Sequence, residues 1–374
     1  MTRRILYIVT EDWYFLSHRL PMARAARAAG YQVHVATRLK DGRAAIEEEG
    51  FVPHALSWSR GSLSPIGSVS AIFALRRLLG ELKPDILHNI SLKPVLLGST
   101  ANLGRSGTAV VNSLTGLGTL FIGEALVSGV ARSLVRAALS GLLRRKRSVT
   151  VVQNPDDRAF VLGLGVAPDN VVLIPGSGVD TEKLKPLPEP PPPVTAAYVG
   201  RMLADKGVLT LIEAFSRLGK QSSPLQLLLA GDCDRENPGS LAPEQLREFA
   251  SLYGIHWLGH VADIKQVWAR AHFAVLASRR EGLPKSLLEA AACGRGMVAT
   301  DAPGCREIAI EGETALTVPV DAPAALADAM AKLAGDAAMR SRFGANARAL
   351  VEQKFSAEAI GRQTVAIYDS LLVR

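Results

Sequence analysis

Two stretches in the second half of the chain gather residues that can do chemistry. The first is Tyr198-Val-Gly-Arg-Met-Leu-Ala-Asp-Lys-Gly207. An apolar run over 196–199 ends at Gly200, and Arg201 and Lys206 follow within one loop. Two cations beyond the carboxyl end of a strand suit a diphosphate. Taken alone they also fit ordinary surface cations, which is the commoner meaning. The second stretch is Ser278-Arg-Arg-Glu281-Gly-Leu-Pro-Lys-Ser-Leu-Leu-Glu289-Ala-Ala-Ala-Cys-Gly294. Pro284 suits the first turn of a helix and Gly294 its end. Free backbone N–H groups at such a start form an anion site. Glu281, just ahead of the helix, can accept bonds from sugar hydroxyls, and Glu289, two turns on, from a ribose. The alternative is an acid favoured by the helix dipole, plus a solvated helix face.

Short apolar runs alternating with helical patterns must position these residues. They fall at 5–9, 33–37, 86–88, 109–111, 149–152 and 171–174. The series restarts at 196–199 and continues at 225–230, 255–258, 273–276, 297–300 and 315–318. Apolar strands between helices indicate a parallel sheet covered on both faces. Because the pattern occurs twice, the expected class is α/β, with two Rossmann-like domains facing a cleft. Between the two series stands KLKPLPEPPPPV, where six prolines resist helix and central strand and predict a stiff surface linker. The expected domains are 1–182, a linker at 183–194, and 195–356. In the segment 356–374, Ile360, Thr364, Ile367, Tyr368 and Leu371 share one helical face.

With 374 residues, 48% hydrophobic and 21% charged, the chain has a full core and is not disordered. Its net charge of +8 is uneven: residues 1–180 hold 21 basic and 13 acidic side chains, and the remainder 22 of each. Three cysteines without a CxxC fit a reducing compartment. The apolar run near the start is too short for a signal peptide and reads as a buried strand. No 18-residue apolar run exists, so any membrane contact is expected to be peripheral. Asp232-Cys-Asp234 is a D-x-D at a strand end, read as a common loop feature rather than a metal site. In the first half, Asp12 and His18 lie in the first strand–helix connection, where function and helix capping compete. His88 ends a strand and suits either a cleft or a packing role, while Lys93 suits an acceptor phosphate or solvent.

The motifs in combination carry more. G-R-x4-K-G, Gly231-Asp232, Leu258-Gly-His-Val261, E-G-L-P-K-S-L-L-E-A and Asp301-Ala-Pro-Gly-Cys-Arg-Glu307, in this order, resemble the C-terminal domain of glycosyltransferase family 4 over about residues 196–318. That family has the GT-B fold, retains anomeric configuration, uses nucleotide sugars and usually needs no metal ion. Asp12-Trp-Tyr-Phe-Leu-Ser-His-Arg-Leu20, His88-Asn-Ile-Ser-Leu-Lys-Pro94 and Thr115-Gly-Leu-Gly118 resemble a bacterial subgroup, the PglA-type N-acetylhexosaminyltransferases acting on polyprenyl-diphosphate-linked sugars. The resemblance implies that Arg201 and Lys206 hold the donor diphosphate and Glu281 the donor sugar. It puts backbone groups at Gly282, Leu283, Lys285 and Ser286 near sugar and phosphate, and Glu289 on the ribose. The chain around His260 and Val261 would meet the base, typically uracil. Where many members carry His-Gly on the acceptor side, Thr115-Gly116 stands here, so that histidine's role does not transfer. Acceptor-side candidates are Asp12, His18, His88, Lys93 and Thr115, and the resemblance adds a C-terminal helix, 357–374, to the first domain.

Residues 125–147 contain Arg132, Arg136, Arg144, Arg145, Lys146 and Arg147 and no acid, while Leu126, Val130, Leu134, Val135, Leu139 and Leu142 recur at helical spacing. A basic amphipathic helix fits an anionic membrane surface, or a core-packing helix that shows arginine to water. With aromatics at 5%, the basic run lacks stacking rings and nucleic acid is not expected. The expected partners are therefore a nucleotide sugar, a lipid-linked saccharide acceptor and a membrane surface, with no cofactor beyond the UDP-sugar donor. The expected location is cytoplasmic, peripheral on the inner face of the cell membrane. The alternatives are a UDP-sugar 2-epimerase of the same fold and a non-catalytic peripheral UDP-sugar-binding protein.

Overall fold

The computed structural model describes residues 2–58, 65–115, 129–219 and 225–373. The apolar runs named above all become strands. β1 (Arg4–Glu11), β2 (Gln32–Arg38), β3 (Val52–Ala55), β4 (Ile86–Ile90), β5 (Ala109–Leu114), β6 (Ser148–Val152) and β7 (Val171–Leu173) form one sheet in the order β3-β2-β1-β4-β5-β6-β7. β8 (Thr195–Val199), β9 (Gln226–Ala230), β10 (His256–Gly259), β11 (Phe273–Leu276), β12 (Gly296–Thr300) and β13 (Ala315–Val318) form a second, in the order β10-β9-β8-β11-β12-β13. Every pairing is parallel. Each order reverses beside its first strand, between β1 and β4 and between β8 and β11. Sheets of this kind bind ligands outside the carboxyl ends of the strands at that reversal.

β1 shows how burial on both faces selects its residues. Ile5, Tyr7 and Val9 point to one core, which takes Met22, Ala23 and Ala26 of helix Leu20–Ala28 and Ile360, Ile367, Tyr368 and Leu371 of the last helix, Ala357–Val373. Leu6 and Ile8 point the other way, onto Leu75 and Leu79 of helix Pro65–Leu82. The alternation follows the two-residue period of a strand. Tyr7 and Tyr368 hydroxyls meet at 2.9 Å, and Tyr31 Oη donates to Asp369 Oδ1 at 2.7 Å, so the last helix is bonded as well as packed.

The chain divides into one unit of Met1–Ser177 with Ala357–Arg374 and another of Gly178–Ser356. The proline-rich stretch is part of the second unit, not a segment apart. Leu184 and Leu187 pack on its core, and Leu187 N donates to Cys293 O at 3.1 Å. Arg295 donates to the Leu187 and Pro188 carbonyls at 3.1 and 2.7 Å, and Arg340 Nε pairs with Glu189 at 2.5 Å. Carbonyls that cannot join a sheet thus find arginine donors from distant elements.

Candidate active site

In the second unit the site grows from the ends of β8 and β11. Tyr198 is fully buried and its hydroxyl donates to Arg201 O at 2.7 Å, fixing the turn after β8. The chain then makes a short 3-10 turn, Ala204–Lys206, and enters helix Val208–Leu218 through Gly207 at φ +70°. A Cβ there would lie 1.9 Å from Ala277 O, so only glycine lets this loop touch the end of β11. The close approach brings Lys206 Nζ to 2.5 Å from both oxygens of Glu281, and Ser278 Oγ donates to Glu281 Oε1 at 2.6 Å. Glu281 N donates to Pro303 O at 2.9 Å. The adjoining Gly304, at φ +81°, has no room for a Cβ, which would meet Glu281 O at 2.4 Å. The Asp301–Glu307 motif therefore serves as the wall that sets Glu281.

Arg201 Nη1 donates to Asp234 Oδ2 at 2.7 Å, so the D-x-D spends its second carboxylate on an arginine. Helix Lys285–Ala292 starts at Pro284, which stands at the N-cap rather than inside the first turn. Lys285 Nζ lies 3.2 Å from Glu289 Oε1. Burial pushes the Glu289 carboxyl above its ordinary range, and Lys285 draws it back. Leu283 is buried, and Gly282, Lys285 and Ser286 are half-buried at the helix start. His260 is exposed and Val261 half-buried in the loop after β10. That loop is tied to the end of β9, since Gly231 N donates to Gly259 O at 2.7 Å and Trp257 Nε1 to Gly231 O at 2.9 Å. Arg201, Lys206 and Glu281 thus flank the strand reversal, with His260 and Val261 two strands away. Sequence reasoning missed Ser278, for a lone serine carries no signal until its neighbour is known.

The first unit's candidates divide. Asp12 is buried and accepts from Lys40 N, Gly42 N and Trp13 N at 2.6, 2.9 and 2.7 Å, which braces the loop after β2. His18 stacks on Tyr14 at 4.5 Å and bonds Ser17 Oγ at 2.6 Å. His88 is buried, with Nδ1 2.7 Å from Tyr368 Oη and Nε2 2.7 Å from Ser113 Oγ. Burial, aided by Arg19, pushes its pKa down to about 3, so the ring stays neutral. Lys93 Nζ lies 5.8 Å from the Trp58 ring centre, and burial and Arg38 lower its pKa while Glu11 opposes them. Thr115 Oγ1 is 2.8 Å from Ser91 Oγ and accepts from Tyr14 Oη at 3.3 Å. Ser91, which the sequence did not single out, holds φ +79°, a strained value for a non-glycine residue at the end of β4. Gly116, Gly118 and Leu126 lie outside the described residues.

Helix Gly129–Leu143 turns Leu139 and Leu143 into the core and leaves Leu134 66% exposed. Arg136 sits 5.2 Å from the Phe160 ring centre. Arg147 donates to the Ser106 and Leu371 carbonyls at 3.1 and 3.4 Å. Arg132 and Arg145 are half-buried, and Arg144 and Lys146 exposed. Among the described residues no helix is long and apolar enough to cross a membrane.

Residues 193–336 match the family described as Glycosyl transferases group 1, and residues 4–153 that described as Glycosyl transferase 4-like. The N,N'-diacetylbacillosaminyl-diphospho-undecaprenol alpha-1,3-N-acetylgalactosaminyltransferase of Campylobacter jejuni is 24% identical, with 96% of this chain and 98% of that protein covered. The capsular polysaccharide biosynthesis glycosyltransferase CapM of Staphylococcus aureus is 23% identical over 99% of this chain and 98% of its own. Among solved structures, HepE of Anabaena in complex with UDP and glucose superposes with a TM-score of 0.77 at 18% identity, covering 98% of this chain and 99% of that one. The chain is a glycosyltransferase of the GT-B fold, built from a 4-like domain followed by a group 1 domain.

Proposed function

We propose that this glycosyltransferase moves an N-acetylhexosamine, GalNAc or GlcNAc, from a UDP-sugar to a polyprenyl-diphosphate-linked sugar, in bacterial surface polysaccharide or glycan assembly. The observation that carries the reading is the cluster of Lys206, Glu281 and Ser278 at the reversal of the second sheet, with Arg201 on the same edge. Arg201 and Lys206 offset the charge that develops on the departing diphosphate, together with the N–H groups at the start of helix Lys285–Ala292. Glu281 accepts from donor-sugar hydroxyls once Lys206 turns to phosphate. Glu289 accepts from the ribose, and the loop at His260 and Val261 borders the base. The likeness to a UDP-complexed structure and to a transferase named for a diphospho-undecaprenol substrate supports the donor and acceptor classes.

The transfer retains configuration and uses no metal ion. The bond from the anomeric carbon to the diphosphate oxygen breaks as the acceptor oxygen bonds to that carbon on the same face. The acceptor proton passes to the departing phosphate oxygen and UDP leaves. No protein base is needed, in keeping with a first unit whose buried histidine is neutral and doubly hydrogen-bonded. The enzyme works at the inner membrane face. Leu134 supports this, as do Val69 and Phe73, 52% and 68% exposed on helix Pro65–Leu82, because both helices pack against Leu92–Ala101. Of the six basic residues nearby, the exposed Arg136, Arg144 and Lys146 add roughly 1 kcal/mol each at an anionic surface.

The test is transfer of labelled sugar from UDP-GalNAc and UDP-GlcNAc to an undecaprenyl-diphosphate-linked N-acetylhexosamine by wild type, Glu281→Ala and Arg201→Ala. Wild-type transfer that fails in both variants is expected. Full activity in both would remove the site assignment, and release of an epimerised sugar without acceptor would identify an epimerase.

A further inference from the structure

We propose that Arg19 is an anion hold in the first unit that receives a phosphoryl oxygen of the acceptor; the assignment to the acceptor rests on the lipid-diphosphate reading above. Arg19 stands between helices Asp12–His18 and Leu20–Ala28, in the connection that follows β1, and is only 2% exposed. Among the described residues its one side-chain hydrogen bond runs from Nη2 to Tyr14 Oη at 2.9 Å, with the guanidinium 5.5 Å from that ring's centre. Its Nε has no hydrogen-bond partner, and among the described residues no carboxylate pairs with it.

Other buried arginines in the same chain are treated differently. Arg295 donates to three carbonyls, those of Trp268, Leu187 and Pro188. Arg340 has Glu189 and the carbonyls of Leu333 and Ala334. A buried cation with one neutral partner is costly until an anion completes it.

The surroundings point to that anion's place. Arg19 lines a recess with Ser113, Thr115 and Gln153 at the carboxyl ends of β5 and β6, with Gly176, and with His88, which stands in the middle of β4 and not at its end as the sequence suggested. The recess has room for about one water-sized group, so it admits a projecting oxygen rather than a sugar ring. His88 does not compensate Arg19, since an imidazole is neutral or cationic, and both its ring nitrogens are held by hydroxyls. Thr115, Ser91 and Tyr14 continue the polar path with three linked hydroxyls, and Ser91 keeps its strained backbone there. A planar guanidinium fork matches phosphoryl oxygens better than a point charge does.

The experiment is calorimetric titration of the full chain with inorganic pyrophosphate under saturating UDP, so that the second unit's cations are occupied. Wild type is expected to bind, Arg19→Met at least tenfold more weakly, and Arg19→Lys several-fold more weakly, all three with equal UDP affinity. Equal pyrophosphate affinity in wild type and Arg19→Met, or no binding by wild type, overturns the proposal. If Arg19→Met does not fold, unchanged affinity in Arg19→Lys overturns it instead. Should wild type fail to bind UDP at all, the donor reading falls. A tenfold loss of pyrophosphate binding in Arg19→Met, measured without UDP, would still uphold the anion hold.

Discussion

Both units reverse strand order beside their first strand, yet they equip that position in opposite ways. After β8 and β11, cations are matched with carboxylates: Arg201 with Asp234, Lys206 with Glu281, and Lys285 with Glu289. After β1 and β4 the carboxylates are already taken, Glu11 by Arg38 and Asp12 by backbone amides, and the recess beside them holds hydroxyls, a neutral histidine and Arg19 without a carboxylate. Paired charges keep an anion-binding edge soluble and in position while leaving cations that a diphosphate can claim. Neutral hydrogen-bonding groups keep an edge in shape without committing it to a charge. The same sheet topology thus carries an edge of paired charges, proposed here for the donor, and in the other unit a recess of neutral groups around Arg19, so that function follows the side chains on the loops rather than the fold.

The comparison breaks most visibly at Lys206. Lys206→Ala removes the diphosphate contact proposed above and strands Glu281, so transfer from a UDP-sugar is expected to fall about 10²–10³-fold in kcat/KM. An unchanged rate in steady-state assays would return the chemistry to the other unit.

Acid separates the two units next. The folded-state pKa of His88, about 3, lies below the ordinary value of 6.5. The unfolded chain therefore takes up its proton first: this stability is complete above about pH 6.5 and is lost as pH falls toward 3. By pH 4.5 His88 alone is expected to cost about 2–3 kcal/mol. His34, lowered to about 4, and His54 add in the same direction in the first unit, against His272 in the second. Hydrogen exchange at pH 7 and pH 4.5 should show β4 and β5 losing protection before β8 and β11, and His88→Gln should flatten the difference. Equal loss in both sheets would remove this contrast.

Smaller effects sharpen the donor edge. Tyr198→Phe deletes the bond that fixes the Arg201 turn and should cost about 1 kcal/mol in urea unfolding, with a higher KM for donor. Asp234→Asn frees Arg201 from a competing carboxylate and should tighten UDP binding about 2–5-fold by calorimetry, in line with the modest strength of partly exposed pairs.

The strands were readable because each is a run of apolar residues buried on both faces. β3 was not, since Val52–Ala55 holds Pro53 and His54 at a half-exposed sheet edge. The candidate residues of the second unit were readable from motifs, but their partners were not. Ser278 and Asp234 take their meaning from Glu281 and Arg201, brought near by the glycine contacts at 207 and 304. Arg19 resembles any helix-flanking arginine, and its burial depends on Tyr14, His88 and a last helix more than 300 residues away. The proline-rich stretch signals stiffness locally, while Arg295, which holds two of its carbonyls, and Arg340, which holds Glu189, lie about 110 and 150 residues on.

The most direct test of the donor assignment is the thermal midpoint of wild type, Arg201→Ala and Lys206→Ala with UDP-GalNAc at about 100 times its wild-type Kd. Binding at that excess adds about 2.7 kcal/mol, or roughly 3–4 °C for a chain of this size. The account predicts that rise in wild type and most of it lost in each variant; an equal rise in all three would contradict it.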